Sequence, residues 1–550
     1  MAKLTLPVGR TDFIRIRNSG NYYIDKTMHI SQIVRDGSDS ILFTRPRRFG
    51  KTTFQSMLKA FFDIREDNRD LFTGLAIMDD EEAVEGWMNK WPVIHLTFKD
   101  IDGPSFSSAM GWMNTQIRDL YKSYRFIDDG KLDGDGAMFR NILANKASVD
   151  DICQSLRLLV ELLHDHYGKK VIILLDEYDV PLAKAEGNGY YPEMLSVVRS
   201  MLLSVLKDCP YTHKGILTGC LRVSKESLFT GLNNLAVYSV TGDDYAEAFG
   251  FSEEEVTRLL HDAGLDDKSD VVKQWYDGYS IGGVSLYSPW DVVSYVKKLQ
   301  TNRNAKPENY WANSSSNEEI RQLIDMTSAT EGDEYSTLIN GGAIRKHVVE
   351  TLTYGNLYSS AENIWSLLLM TGYLTLAGDY DAHDENALRL PNEEVRSLFA
   401  SCVDEWFRKK VRTSDRKALF EALWTGDAEA LSQIISRCLR ETISYYDYKE
   451  DYYHAFLAGL LSGAPYTVKS NRETGSGRAD ILVIDKASNT LVILEVKRAQ
   501  SRDDLEKLAT QALAQLKDRE YGSDLEDYSK VVGYGVAFYR KEALVKVMEG

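Results

Sequence analysis

Cysteine is scarce in this chain and scattered. The five residues Cys153, Cys209, Cys220, Cys402 and Cys438 form no CxxC pair and no even-numbered framework, which argues against a disulfide-stapled scaffold or a thiolate metal knuckle and fits a reducing compartment. No apolar run approaches the roughly 18 residues that span a bilayer. The first residues, MAKLTLPVGRTDF, hold no apolar core of a signal peptide. The expected location is therefore cytoplasmic, with no membrane partner. An excess of positive charge is also missing. The net charge of −17 repels nucleic acid as a whole, so any DNA or RNA binding must come from a local basic surface or a metal-loaded site. Compositional bias is absent too, at 43% hydrophobic and 27% charged residues, so ordinary buried cores are expected. At 550 residues the chain outgrows one core, and its length suggests roughly three to four domains.

What is present begins with RPRRFGKTT, residues 45–53. A phosphate-binding loop reads G-x-x-x-x-G-K-[ST]. Gly50, Lys51 and Thr52 keep its second half, while Arg45 stands where the first glycine belongs. Losing that glycine removes easy access to positive φ at the loop entrance. The flanks are right for such a loop: Ile41, Leu42 and Phe43 make a short buried strand, and Phe54, Met57, Leu58, Phe61 and Phe62 recur at helical spacing. Backbone N–H groups and the positive helix end then receive phosphates, Lys51 reaches the terminal ones, and the Thr52 hydroxyl binds Mg²⁺.

A second signal is KKVIILLDEYDV, residues 169–180. Val171 to Leu175 form a continuous apolar run, the mark of a parallel strand covered on both faces, and it ends at Asp176 and Glu177. In an ATPase such an Asp holds Mg²⁺ through water and the Glu polarises the attacking water. A third strand, HKGILTGCLRVS, carries Thr218 at its tip and then Arg222. Thr218 is placed to sense a γ-phosphate; Arg222 has two readings, a phosphate contact in cis or in a neighbouring subunit, or a pair with a surface carboxylate. VIHLTF, residues 93–98, supplies another β-branched strand.

The motifs YYIDKT (22–27), RPRRFGKTT, LLDEYD and LTGCLRVS, in this order, resemble the bacterial and archaeal AAA-ATPase-like family, whose loop is typically written RPRRFGKS or RPRRFGKT. The resemblance implies Lys51 and Thr52 for phosphate and Mg²⁺ and Asp176 and Glu177 for Mg²⁺ and hydrolysis; Arg48, Phe49, Gly50, Thr53, Thr218 and Arg222 are expected to complete the ATP site. Tyr23, Asp25, Lys26 and Thr27 would suit a base or ribose contact. The fold class expected is α/β: a P-loop NTPase with a mostly parallel sheet and helices on both faces over residues 1–240, its ligand at the strands' carboxyl ends.

From 241 to 440 the pattern is mainly helical and is read as a lid or connector. FSEEEVTRLLHDAG offers Ser252 and Glu255 as a capping box and Gly264 as a stop. Trp275, Tyr276, Tyr279, Tyr287 and Trp290 are read as a small core beneath a loop rather than a base-stacking platform.

The last stretch, 441–550, holds a second set of acids. GRADILVI puts Asp480 at the start of a strand, DKASN signals a turn, and TLVILEVKRA carries Glu495 and Lys497, two apart and so on one face. Two carboxylates beside a lysine make a hard-oxygen pocket for Mg²⁺ or Mn²⁺, with the lysine orienting or helping to deprotonate the attacking water. The plain alternative is a solvent-facing cross-strand salt bridge. The expected order around them, helix, strand, strand, strand, helix, strand, together with YYHAF, SNRETGSGRAD, LEVK and QLKDREY, resembles the PD-(D/E)XK nuclease superfamily domain commonly joined to this ATPase-like family. That resemblance implies catalysis by Asp480, Glu495 and Lys497, a metal site completed by Glu450 or Glu473, and substrate contacts from Gln515 and Tyr521. Ala479 replaces the proline usual before the acid.

The expectation is an ATP-hydrolysing protein whose nucleotide state gates metal-dependent cleavage of nucleic acid, DNA rather than RNA by superfamily analogy. The rival is a nucleotide-switched binding protein with an inactive nuclease fold. An Arg222 acting in trans would require a homo-oligomer; no coiled coil or repeat enforces one.

Overall fold

The structure is a computed structural model that describes residues 4–128, 135–222, 229, 232, 234–310, 318–327, 332–357, 359–413, 417–441, 450–461, 466–474, 477–518 and 528–548. The chain divides into two compact units, residues 1–316 with 345–396, and 317–344 with 397–550.

The first unit is built on five parallel strands in the order β2-β3-β4-β1-β5, where β1 is Ser40–Thr44, β2 Val93–Thr97, β3 Val171–Asp176, β4 Thr212–Gly219 and β5 Leu235–Tyr238. Every residue of β1 and β3 is buried, as continuous apolar runs demand when helices cover both faces. Parallel pairing aligns the carboxyl ends. Thr44 pairs with Gly219, Leu175 with Leu217 and Thr97 with Asp176, so the polar residues that terminate the apolar runs gather along one rim. The helix Lys51–Phe62 starts at that rim and buries Phe54, Met57, Leu58, Phe61 and Phe62, the residues its 3.6-residue period selects.

Helices dominate the segment after β5, interrupted by the hairpin of β6 (Tyr279–Ile281) and β7 (Val284–Leu286) and by a three-stranded sheet ordered β8-β10-β9, with β8 Ile344–His347, β9 Thr375–Leu376 and β10 Glu385–Arg389. The capping box forms as its sequence demands: Ser252 Oγ accepts from the Glu255 N–H and Glu255 returns the bond to the Ser252 N–H.

The second unit carries the sheet β11-β12-β13-β14-β15, with β11 Thr467–Thr474, β12 Gly477–Asp485, β13 Thr490–Arg498, β14 Lys530–Tyr539 and β15 Glu542–Val547. β13 and β14 run parallel through the crossover helix Leu505–Asp518, and the other pairs are antiparallel. The expected order, from the helix Glu450–Leu461 to β14, is present; β15 is an addition. Its edge is covered by the helix Ala428–Glu441, whose Ser432 and Ser436 hydroxyls accept the N–H groups of Val545 and Ala543 at 2.9 Å each. Satisfying those donors blunts an edge that would otherwise template another strand.

The crossover helix lies very close to β14. A Cβ on Gly535 would stand 2.3 Å from the Ala509 carbonyl and 2.6 Å from the Leu513 nitrogen. Gly535→Ala is therefore expected to push the helix off the sheet and destabilise this unit by about 1–3 kcal/mol, read as a lower urea midpoint. An unchanged midpoint would mean that the helix tolerates displacement.

Candidate functional site

β4 lies between β1 and β3, so its tip stands between the phosphate-loop helix and the Asp-Glu pair. Asp176 is fully buried. Its Oδ2 accepts from the Thr52 hydroxyl at 2.8 Å and its Oδ1 from the Thr218 hydroxyl at 2.6 Å. A carboxylate this far from water is tolerated only when its lone pairs are met, and two hydroxyls from two other elements meet them. The three side chains form a set of hard oxygens suited to Mg²⁺.

Lys51, 5% exposed, folds back over its own loop and donates to the carbonyls of Arg45 at 2.9 Å and Pro46 at 2.8 Å. Glu177 follows Asp176 in a left-handed conformation, φ +53, a strained backbone of the sort that clusters at functional sites. Burial, then the neighbouring Asp176 charge, pushes its carboxyl above the usual range.

The loop departs from the ordinary pattern for a reason invisible in the motif. Arg45 does not adopt positive φ; Arg48, at φ +67, and Gly50, at φ +90, do. The Arg45 side chain is wholly buried and donates to the carbonyls of Thr44, Tyr238, Ser239 and Tyr245 at 2.7–3.0 Å. It ties the loop to the chain beyond β5. Arg222 lies 4.0 Å from Glu350, the carboxylate pairing that its sequence left open.

A cavity of about 290 Å³ opens from this rim. Gly50, Lys51, Thr52, Thr53, Lys99 and Glu177 make its polar end, and Pro7, Val8, Phe251, Pro289, Trp290 and Val293 line it with apolar surface. Arg48 and Phe49 also line it. Tyr23 and Lys26 border it too, but Asp25 and Thr27 serve the backbone, accepting from the N–H groups of Ala76 and Ile77. The aromatic cluster splits. Tyr276, Tyr279 and Tyr287 are buried as a small core should be, while Trp290 faces the cavity with the Arg48 guanidinium 5.1 Å above its ring. Lys99 and Trp290 went unnoticed as site residues because no motif spacing links them to the loop.

In the second unit β12 and β13 form the expected hairpin. Ile481 pairs with Leu494, and one step further along that register Asp480 stands across from Glu495. Asp480 Oδ2 accepts the Val496 N–H at 2.8 Å, and His454 meets the Asp480 carbonyl at 2.6 Å. Glu495 is 1% exposed, and Lys497 Nζ lies 3.6 Å from its Oε1. Such burial does not fit a solvent-facing salt bridge. The crossover helix passes over Gly535, the register partner of Glu495. Gln515 lies beyond that crossing, where its Oε1 is buried without a hydrogen-bond partner among the described residues. Glu450 starts its helix and Glu473 lies on β11; their side chains and the whole of Tyr521 fall outside the described residues. Among the described residues no group of three or more His, Cys, Asp or Glu is gathered to hold a metal, so two carboxylates and a lysine are what the hairpin itself supplies.

Residues 7–229 match the family model described as predicted AAA-ATPase, and residues 448–548 match that of the PD-(D/E)XK nuclease superfamily. Residues 7–229 thus form an AAA-ATPase-like domain and residues 448–548 a PD-(D/E)XK nuclease superfamily domain. An uncharacterized protein in the vnfD 5′ region of Azotobacter chroococcum mcd 1 is 26% identical over 95% of this chain and 93% of its own length. Among solved structures, the Walker-type ATPase paby2304 of Pyrococcus abyssi is 13% identical, with 70% of this chain and 97% of that one covered at a TM-score of 0.36. The ORC2 protein of Aeropyrum pernix is 12% identical, with 68% and 92% covered at a TM-score of 0.24. Both structural likenesses are too distant to bear on function. The AAA-ATPase-like match ends before Phe251 and Trp290, so the apolar side of the cavity is partly furnished by the chain beyond that domain. No helix among the described residues is long and apolar enough to cross a membrane.

Proposed function

We propose that this protein binds and hydrolyses ATP with Mg²⁺, and that its nucleotide state gates metal-dependent cleavage of nucleic acid, DNA in preference to RNA. The observation that carries the reading is the hydroxyl–carboxylate set Thr52, Asp176 and Thr218, whose Thr52 joins Lys51 and Glu177 at the polar end of a cavity with apolar walls. A nucleoside triphosphate is divided in the same way. Thr52 and Asp176 would hold Mg²⁺, which neutralises charge developing on the phosphates. Lys51 and the loop N–H groups bind the phosphates, Arg48, Phe49, Thr53 and Thr218 frame them, and Glu177 orients and deprotonates water. Arg222 reaches the γ-phosphate only by leaving Glu350.

In the nuclease reading Asp480 and Glu495, joined by Glu450 or Glu473, hold Mg²⁺ or Mn²⁺, which stabilises charge on the scissile phosphate. Lys497 positions the attacking water, and Gln515 and Tyr521 contact the substrate backbone. The functional division is 1–240 for nucleotide, 241–440 for connection and 441–550 for cleavage, in a cytoplasmic protein. Defence against foreign DNA, repair and mobile-element transactions all fit such a machine.

The experiment is cleavage of labelled linear, supercoiled and single-stranded DNA and of RNA, with Mg²⁺ or Mn²⁺, with and without ATP. Metal-dependent cleavage that responds to ATP is expected; ATP binding with no cleavage of any substrate would favour the switched binding protein. Glu177→Gln is expected to retain ATP binding and lower turnover by about a hundredfold or more. Because burial raises the Glu177 carboxyl, wild-type turnover should fall on acidification already above the ordinary carboxylate range, as this base takes up its proton. Full turnover in Glu177→Gln would remove it from catalysis.

A further inference from the structure

One residue of the phosphate loop has its side chain held by the chain far beyond the loop. Arg48 holds the left-handed turn, φ +67, a conformation that a residue with a Cβ keeps only when its surroundings impose it. The surroundings lie on the helix Pro289–Leu299 and the chain after it. The guanidinium stacks over Trp290, donates to the Tyr310 carbonyl and stands 3.6 Å from Asp291. Asp291 is 0% exposed, among the described residues no backbone N–H reaches either of its oxygens, and its neighbours are the Ser288 hydroxyl, the Glu394 carboxyl and Arg48. A carboxylate so placed needs a counter-charge, and Arg48 is the cation facing it.

The other titratable groups packed around this pair are Glu394, fully buried beside Asp291, Tyr279 and Tyr373, which face the guanidinium, and Tyr276 and Tyr310, which feel the charge of Asp291. Burial pushes the Asp291 carboxyl up to about 6, while hydrogen bonding from the Ser288 hydroxyl, the Arg48 charge and a proton shared with the neighbouring Glu394 carboxyl pull the other way. Its proton is therefore exchanged close to neutrality.

We propose that Asp291 is a positioning residue for the nucleotide site: as a carboxylate it fixes Arg48 and with it the left-handed turn of the phosphate loop, and on taking up a proton it releases both. Nucleotide affinity is then tied to proton uptake at a residue outside the AAA-ATPase-like match. This rests on the nucleotide reading above. The sign is set by the pair. The anchor is complete above about pH 6 and is lost as pH falls through that value, so binding weakens on the acid side. No histidine lines the cavity among the described residues to produce the same slope.

The test is calorimetric titration of the full chain with Mg²⁺ and ADP between pH 5.5 and 8, comparing wild type with Asp291→Asn. The slopes from the phosphates of ADP and from Glu177 are common to both proteins, so their difference isolates Asp291 together with the Glu394 carboxyl that titrates with it. Beyond the slope the two proteins share, a weakening of wild type by up to about fourfold relative to its pH 8 affinity is expected at pH 5.5, with Asp291→Asn weak throughout and its difference from wild type narrowing at low pH. Parallel profiles would overturn the proposal. Should Asp291→Asn fail to fold, Arg48→Gly decides: glycine takes the turn unaided, so a profile without the Asp291 slope supports the anchor and a wild-type profile overturns it. If wild type bound no ADP at any pH, the nucleotide reading itself would fall; binding with parallel profiles removes only the role of Asp291.

Discussion

Lys51→Ala is expected to weaken ATP binding by two to three orders of magnitude and to abolish turnover. The ammonium is already held at the loop by the carbonyls of Arg45 and Pro46, a short swing from where the helix Lys51–Phe62 begins. On the proposed reading it exchanges two neutral acceptors for phosphate oxygens. Charge-assisted hydrogen bonds contribute about 1.5–3 kcal/mol each, and two of them account for the expected loss at about 1.4 kcal/mol per decade. The same substitution leaves the two carbonyls without their donor, so a modest fall in thermal midpoint should accompany it. Calorimetric titration with ATP measures the first effect and thermal unfolding the second. Binding at wild-type affinity would show that the cavity takes some other ligand.

Lys497→Ala is expected to remove cleavage, by about a hundredfold to ten-thousandfold, while ATP binding stays as in wild type. Lys497 lies 3.6 Å from Glu495, whose side chain is 2% exposed. A metal at Asp480 and Glu495 would replace that ammonium as the partner of Glu495 and leave it beside the attacking water. Without metal the variant loses a counter-charge next to a buried acid, which costs stability, so Lys497→Met, which keeps the stem packed, should accompany it. Cleavage retained by both variants, judged on folded protein, would place the nuclease chemistry elsewhere. Cleavage lost with ATP binding unchanged would separate the two sites functionally. Removing the metal with a chelator should silence cleavage in wild type to the level of the variants.

Much of each site was legible because local order carries it. Gly50, Lys51 and Thr52 belong to a strand–loop–helix unit, and Asp176 and Glu177 end a run that only a doubly covered strand needs. The 3.6-residue period of the helix after the loop and the two-residue period of β13 give the faces on which Lys51, Glu495 and Lys497 lie. Asp480 could be paired with Glu495 because a turn signal between two short strands leaves little choice of register. Arg45 was different. It reads as a damaged glycine position, yet its acceptors include the Tyr238 carbonyl, 193 residues away, and no local pattern announces a partner so distant. Trp290 shared an aromatic cluster with buried tyrosines, and composition cannot say which ring turns outward to a cavity.

The sequence by itself determined the two domain types and their order along the chain, because phosphate loops, strand-terminal acids and a strand-borne Glu-x-Lys are short-range arrangements set by backbone periodicity. Only the tertiary structure decided which hydroxyls meet Asp176, that Arg45 ties the loop to the chain beyond β5, that Arg48 leans on Trp290 and Asp291, and that Arg222 rests near Glu350. Those pairings depend on strand order, with β4 inserted between β1 and β3, and on helices packed far along the chain. Burial then settles the partners of Asp176, Arg45 and Asp291, since a charge removed from water must find its partner wherever the fold has brought one.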